Sequence, residues 1–444
     1  MKKFLETLRN IWKIEELRSR IIYTLGILLV YRLGTHVVLP GIDPTRLANL
    51  QQPSGGIMDI INLFTGGAFA RASIFALGIM PYISATIVIQ LLGIAVPYFQ
   101  RLQREGESGR RKINQISRYL TVAILLLQAP TYIASLTYQL PPDAFSPNFS
   151  KIGAVIILTA GSMFIMWLGE RITDKGIGNG ISLIIMIGII AGLPQALGLE
   201  FSARLAQQGG GLVAFLVEIL ILFVVFMLSI LLVQGTRRIP VQYAKRIVGN
   251  KQYGGVRQYI PLKVNAAGVM PIIFAQALMF IPITIAGFAQ SDSATGVAAA
   301  FSNPVGFWYN FTNAVLIILF TYFYTAVTVN PTQMAEDMKK NGGFIPGVKP
   351  GRKTAEFLDS VMSKITLPGS FFLAFVAIMP AFAMMFQVNS SFAMFFGGTS
   401  LLIMVGVILD TLQQVESHLL MRHYDGLMKS GKIKGRAGGA SSAI

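Results

Sequence analysis

The sequence predicts an all-α polytopic membrane protein of about ten transmembrane helices with one short re-entrant helix. Three observations carry that expectation. The 444-residue chain is 53% hydrophobic and only 13% charged, more apolar than a soluble core of this size requires. A helix crossing a hydrocarbon layer of roughly 30 Å takes about 20 apolar residues. Residues 72–100, 119–142, 152–169, 176–199 and 264–291 all run without Asp, Glu, Lys or Arg, where a soluble protein would bury such a helix once or twice. Finally, the net charge of +17 falls between these runs in a regular alternation.

Taken in order, spans are expected near 21–39, 72–95, 118–138, 151–169 and 180–198, then near 212–234, 266–289, 308–330, 366–386 and 397–415. The uncharged block 365–409 is too long for one span, and Gln387-Val388-Asn389-Ser390-Ser391 divides it as a tight external turn. Before the first span, Phe4, Leu5, Leu8, Ile11, Trp12 and Leu17 fall near helical spacing among charged residues. That pattern suggests an interfacial helix within 1–20, against the alternative of an exposed tail. Lys2 and Lys3 precede no short apolar core with a cleavage site, so the first span is expected to direct insertion itself.

Cationic loops stay on the cytoplasmic side while uncharged loops cross. Segments 1–20, 96–118, 170–179, 235–265, 331–365 and the tail after 415 hold 6, 6, 2, 7, 6 and 5 Lys/Arg, 32 of the 37. The alternate loops hold only Arg46, Arg71, Lys151 and Arg204, and Arg32 lies within the first span. An even number of spans with both termini cytoplasmic satisfies every loop. A soluble nucleic-acid-binding protein would gather its charge on one face instead.

Between the first two spans, residues 57–67 are apolar but too short to cross, and Gly66-Gly67 ends them. Composition leaves two readings open: a re-entrant half-helix beside an aqueous cavity, or a helix on the outer surface. Arg32, Glu218 and Asp410 are the intramembrane charges, each expected near an interface where snorkelling is cheap. That sparseness argues against a pump or proton-coupled carrier. Mid-helix positions carry isoleucines instead: Ile79 and Ile83, Ile181 and Ile185, Ile273, and Ile403. Pairs at i and i+4 share a face. They either pack against neighbours and lipid or form a dewetting constriction that yields to a large apolar passenger.

Catalytic and metal chemistry find little footing. There is no cysteine, and His36, His418 and His423 are too scattered for a histidine metal site. No phosphate-cradling Gly-rich loop and no nucleophile–base constellation occurs, so neither an enzyme nor a cofactor is expected, and driving energy must come from a partner or a gradient. The basic segments 101–118, 237–263 and 339–364 would receive an acidic protein face or RNA phosphates, or else only enforce topology.

Several strings together resemble the SecY family, the pore-forming subunits of the bacterial protein-translocation channel. They are Gly66-Gly67-Ala68 through Arg71 to Ser84, Glu105 to Lys112, Gly176 to Ser182, Tyr243-Ala244-Lys245-Arg246, Pro261 to Asn265, Asn330-Pro331, and Phe395 to Ile403. The resemblance implies two halves of five helices in inverted topology, 21–198 and 212–415, around an external hinge loop 199–211, with a cytoplasmic basic tail 416–444. It places a pore ring on Ile79, Ile83, Ile181, Ile185, Ile273 and Ile403. It places a plug near 57–70, carried by Ile57, Asp59, Ile60, Ile61, Asn62, Leu63, Phe64, Thr65, Gly66 and Gly67. A lateral gate is implied where Ser84 and Gln90 face Ile281. Arg237, Arg238, Lys245, Arg246 and Lys349 match partner-binding positions, and Lys349 stands where the family commonly has Arg, losing the bidentate fork.

The implied function is a passive conduit for unfolded preproteins and signal peptides that also releases apolar segments sideways into the lipid bilayer. Implied partners are SecE-like and SecG-like small membrane subunits, a SecA motor ATPase and the ribosome, in a bacterial inner membrane. The alternative reading is a small-solute secondary transporter.

Overall fold

The computed structural model describes residues 12, 14–45, 47, 62–141, 144–146, 149–206, 210–243, 246–248, 251–253, 257–276, 278–279 and 305–429. Among them, seven helices are long and apolar enough to cross a membrane, and a bent pair makes an eighth. Helix α1, Glu15–Gly34, and a helix α8, described over residues 270–276 and 278–279, fall in the other two expected spans.

Helix α1 starts six residues before the expected first span, so residues 15–17 continue into it and do not close a separate interfacial helix. It also stops at Gly34, where a Cβ would lie 2.0 Å from the Phe75 ring, and Val38 then bridges Ser73. The second span is shorter than its uncharged run. Residues 65–79 are turns, with Ala72 at φ +46° and Gly78 at φ +58°, and helix α2 spans only Met80–Ala95 with Pro81 in its first turn.

The basic stretch expected as loop 96–118 is helical. Pro97 starts the short α3, Pro97–Arg104, at 101° to α2, and α4 then runs Glu107–Gln139 from Gly106 at φ +72°. Helices α5, Lys151–Lys175, and α6, Gly180–Leu205, pack antiparallel, and α6 outruns the expected span, shortening the loop placed at 199–211. The most lipid-exposed helix is α7, Gly211–Gln234.

Strands break the all-α expectation locally. In β1, Thr236–Tyr243, buried Ile239 and Val241 alternate with exposed Arg238 and Pro240, and it pairs antiparallel with β4, Arg257–Lys263, in register Ile239↔Ile260, and with β5, Gly343–Phe344. The strands β2, Arg246–Val248, and β3, Lys251–Tyr253, form a hairpin beyond them. Ile239, Val241 and Leu262 pack on Met338, Ile345 and Leu358 in a small core outside the helical bundle.

Helix α9, Phe307–Thr328, leads through α10, Pro331–Lys340, to α11, Arg352–Met385, which starts about four turns before its expected span, in the basic segment. After the turn at Gln387 and the short α12, Ser390–Ala393, helix α13 runs Gly398–Lys429. One large apolar cluster gathers α1, α2, α5, α6, α7, α8, α9, α11 and α13.

Candidate functional site: an isoleucine collar and its seat

Four helices carry the six isoleucines expected to form a ring. Ile79 caps α2 and Ile83 follows one turn on; Ile181 and Ile185 lie in the first turns of α6; Ile273 is on α8 and Ile403 on α13. Asn179 fixes the start of α6, its Oδ1 accepting from the backbone N–H of Ile181 at 3.1 Å and of Ser182 at 3.3 Å. Ile79, Ile83, Ile185, Ile273 and Ile403 are buried in the same apolar cluster, none more than 7% exposed. Ile181 is half-buried at its edge, and its Cγ1 is directed at Gly169 of α5.

Cavities flank this collar along two of its helices. Towards the strands, a cavity of about 270 Å³ is lined by Asn179, Ser182, Lys263, Asn265, Asp410 and Gln413, with Val269 and Met270 of the α8 entry and Gly406 of α13. One turn past the collar, a cavity of about 40 Å³ is lined by Gln276 of α8, Thr399 and Ser400 of α13, Asn313 of α9, and Leu63 and Phe64. The order along α8 is therefore cavity, Ile273, cavity, and along α13 it is cavity, Ile403, cavity. Asn265 Oδ1 in the first cavity, and Gln276 Oε1 and Asn313 Oδ1 in the second, are buried without a protein hydrogen-bond partner. Polar side chains thus line both cavities, while Ile273 and Ile403 between them offer no hydrogen-bonding group.

The segment expected as a plug is described from Asn62 onward; Ile57, Asp59, Ile60 and Ile61 lie outside the described residues. Among the described residues of the segment, 62–64 are helical. Gly67 N donates to Asn62 O at 2.8 Å, and Ala70 N to Asn62 Oδ1 at 3.0 Å, closing the segment on itself. Its end touches α6 backbone to backbone: a Cβ on Gly188 would lie 2.8 Å from Phe64 O, and one on Gly66 3.0 Å from Gly188 Cα. Gly66 and Gly67, at φ +65° and +86°, make the turn that allows this approach.

Arg32 does not snorkel. Its Nη1 donates to Gly66 O at 2.7 Å, an acceptor that leaves no trace in sequence. Nor is Glu218 at a cheap interface. It lies buried with Glu200 and Arg204, whose Nε donates to Glu200 Oε1 at 2.7 Å and whose Nη2 donates to Glu218 Oε1 at 2.5 Å and to Gln387 O at 3.2 Å. Glu200 Oε2 accepts from Asn389 N at 2.9 Å. This triad joins α6, α7 and the turn after α11, where taking three charges from water requires nearly complete pairing. Its sequence signal was the Glu200/Arg204 spacing of i, i+4 on one helix face.

Of the gate residues, Ser84 is half-buried and donates to Met80 O of its own helix at 3.1 Å, Gln90 is half-buried, and Ile281 lies outside the described residues. The three are therefore not brought together among the described residues. On the strands, Arg237 and Arg238 are exposed, as is Lys349 in the turn before α11. Lys245 lies outside the described residues, and Arg246 begins β2.

Comparisons with known proteins point one way. The family model for SecY matches residues 73–412. Curated relatives called protein translocase subunit SecY are 43% identical over 436 residues in Streptomyces coelicolor, covering 94% of this chain and 98% of the relative, and 40% identical over 453 residues in Mycobacterium bovis, covering 97% and 100%. Among solved structures, a protein-conducting channel matches with a TM-score of 0.61 at 17% identity over 94% of this chain and 95% of that one. Sec61 of the canine ribosome–channel complex from the endoplasmic reticulum matches with 0.59 at 17% identity, over the same shares. With matching residues over nearly its full length and a shared fold, the chain belongs to the SecY family.

Proposed function

We propose that this chain is the conducting subunit of a protein-translocation channel, shut at the isoleucine collar in the conformation described above. It is a channel component and not an enzyme, and its relatives do not favour the secondary-transporter alternative. The observation that supports the location of the path is that cavities lined in part by polar side chains precede and follow an isoleucine along both α8 and α13. A ring of branched aliphatics at that level would oppose water and ions, because stripping hydration there has no compensating hydrogen bond. An unfolded chain can still part it, since aliphatic contacts are non-directional.

In this reading two inverted halves, 21–198 and 212–415, surround the path, residues 57–70 close its outer side, and helices near Ser84, Gln90 and Ile281 separate towards lipid. Apolar segments then leave by partition and polar ones cross. Arg237, Arg238, Lys245, Arg246 and Lys349 present cations to a ribosome or a SecA motor, and SecE-like and SecG-like subunits complete the complex. The alternation of basic loops supports a bacterial inner membrane with both termini cytoplasmic.

The test uses the absence of native cysteine. Single cysteines at 83, 185 and 403 should crosslink to a preprotein arrested during translocation, whereas cysteines at lipid-exposed Leu216 or Leu220 of α7 should not. A passenger that reaches none of the collar positions rejects the path.

A further inference from the structure

Two of the five Lys/Arg that break the charge alternation converge on one turn. Arg32, in the last turn of α1, donates from Nη1 to Gly66 O at 2.7 Å. Tyr31 beside it is buried, and its hydroxyl donates to Thr65 O at 3.4 Å. From the other side Arg71 lies against Gly67: a Cβ there would be 3.4 Å from the guanidinium carbon. Arg71 in turn rests 3.3 Å from the His36 ring. Consecutive side chains of α1 therefore hold consecutive carbonyls of the turn that seats the segment against α6.

The electrostatics make this a two-state contact. Among the described residues no carboxylate pairs with Arg32. Its partners are the Gly66 carbonyl and the Thr35 hydroxyl, 3.5 Å away. A guanidinium at this depth needs acceptors. With the turn seated, the Gly66 carbonyl provides one. With the turn displaced, the side chain's position two residues from the end of α1 lets it reach outward to interfacial water. Both states solvate the charge, but only the seated one combines a charge-assisted bond with a buried geometry.

We propose that Arg32, supported by Tyr31, is the latch that holds the 62–67 turn in its closed seat and so sets how often the resting channel opens. The proposal rests on the reading of this segment as a plug. Because the acceptor is a backbone carbonyl, the latch is addressable only from α1.

The experiment places a cysteine at Thr65, which is 2% exposed, in the complete channel complex reconstituted into vesicles. Labelling by a membrane-impermeant thiol reagent and resting ion leak are read together. Arg32→Gln should raise both roughly tenfold, the size expected for losing one hydrogen bond to a charged group. Arg32→Lys, which keeps the charge and one donor, should raise them less, and Tyr31→Phe less again. A third arm deletes 57–67. If the deletion leaks while Arg32→Gln and Tyr31→Phe behave as the parent, the latch is wrong and the plug reading stands. If the deletion does not leak, the plug reading falls and the latch with it. Should Arg32→Gln fail to assemble, Tyr31→Phe decides alone, and parental labelling overturns the proposal.

Discussion

The collar and the ionic triad are both buried, yet they are built on opposite principles. The collar has six isoleucines from four helices and no hydrogen bond between their side chains. The triad has Glu200, Arg204 and Glu218 cross-bonded to each other and to the backbone at 387–389. Aliphatic packing tolerates displacement in any direction, at a cost that grows gradually with exposed area. A buried ion network tolerates almost none, because a partly opened network leaves a charge uncompensated. Where the chain is proposed to open, directional bonds are missing; where α6 meets α7, they are dense.

Breaking the rigid member should have the largest effect. Arg204→Leu leaves two buried carboxylates facing each other and should cost about 3–5 kcal/mol, read as a large fall in the thermal unfolding midpoint of the purified complex. Retained stability would mean that the triad contributes no rigidity. Breaking the soft member should show first in conductance. Ile83→Ser with Ile185→Ser should raise resting ion leak ~tenfold or more, on top of the stability loss of about 2–5 kcal/mol per site expected for truncating a buried aliphatic side chain. Ile181→Ser should raise leak less, because that side chain is directed at Gly169. Equal leak from both would show that the lean of Ile181 is irrelevant to sealing.

Gly188→Ala tests the seat between them. Its added Cβ meets Phe64 O at 2.8 Å, so the plug end must shift, and leak should rise a few-fold with ~1 kcal/mol or less lost in stability. The smallest effect belongs to the strands. Arg237→Glu with Arg238→Glu should weaken ribosome or motor binding by a factor that fades as salt rises, with no change in leak. Salt-independent loss would point to a folding defect in the sheet.

What could be read from residues alone follows the physics of the solvent. Lipid demands uncharged runs, so α5, α7 and α9 were legible to within a few residues at their starts. Helices that continue into water were not: the segment 107–117 is rich in Arg and Lys, and hydropathy reads it as loop although it forms the first turns of α4. The strand β1 lay hidden in a loop defined only by its charge, and Pro240 between Ile239 and Val241 breaks the polar alternation that would have marked it. The proposal of a collar drew on family resemblance, since i, i+4 isoleucines on a lipid face look the same in sequence. Arg32 and Glu218 were visible as charges, but their partners, a backbone carbonyl and an arginine from the preceding helix, exist only in the fold.

The 101° corner at Pro97 restricts how α2 can travel. Beyond it, α3 turns Leu102 inward, where Gly109 of α4 packs against its carbonyl, and keeps Tyr98 and Arg101 exposed. Such a crossbar resists being drawn down among acyl chains or lifted clear of them. The corner therefore opposes axial displacement of α2 more than tilting about Pro97, as a door on a sill resists lifting more than turning.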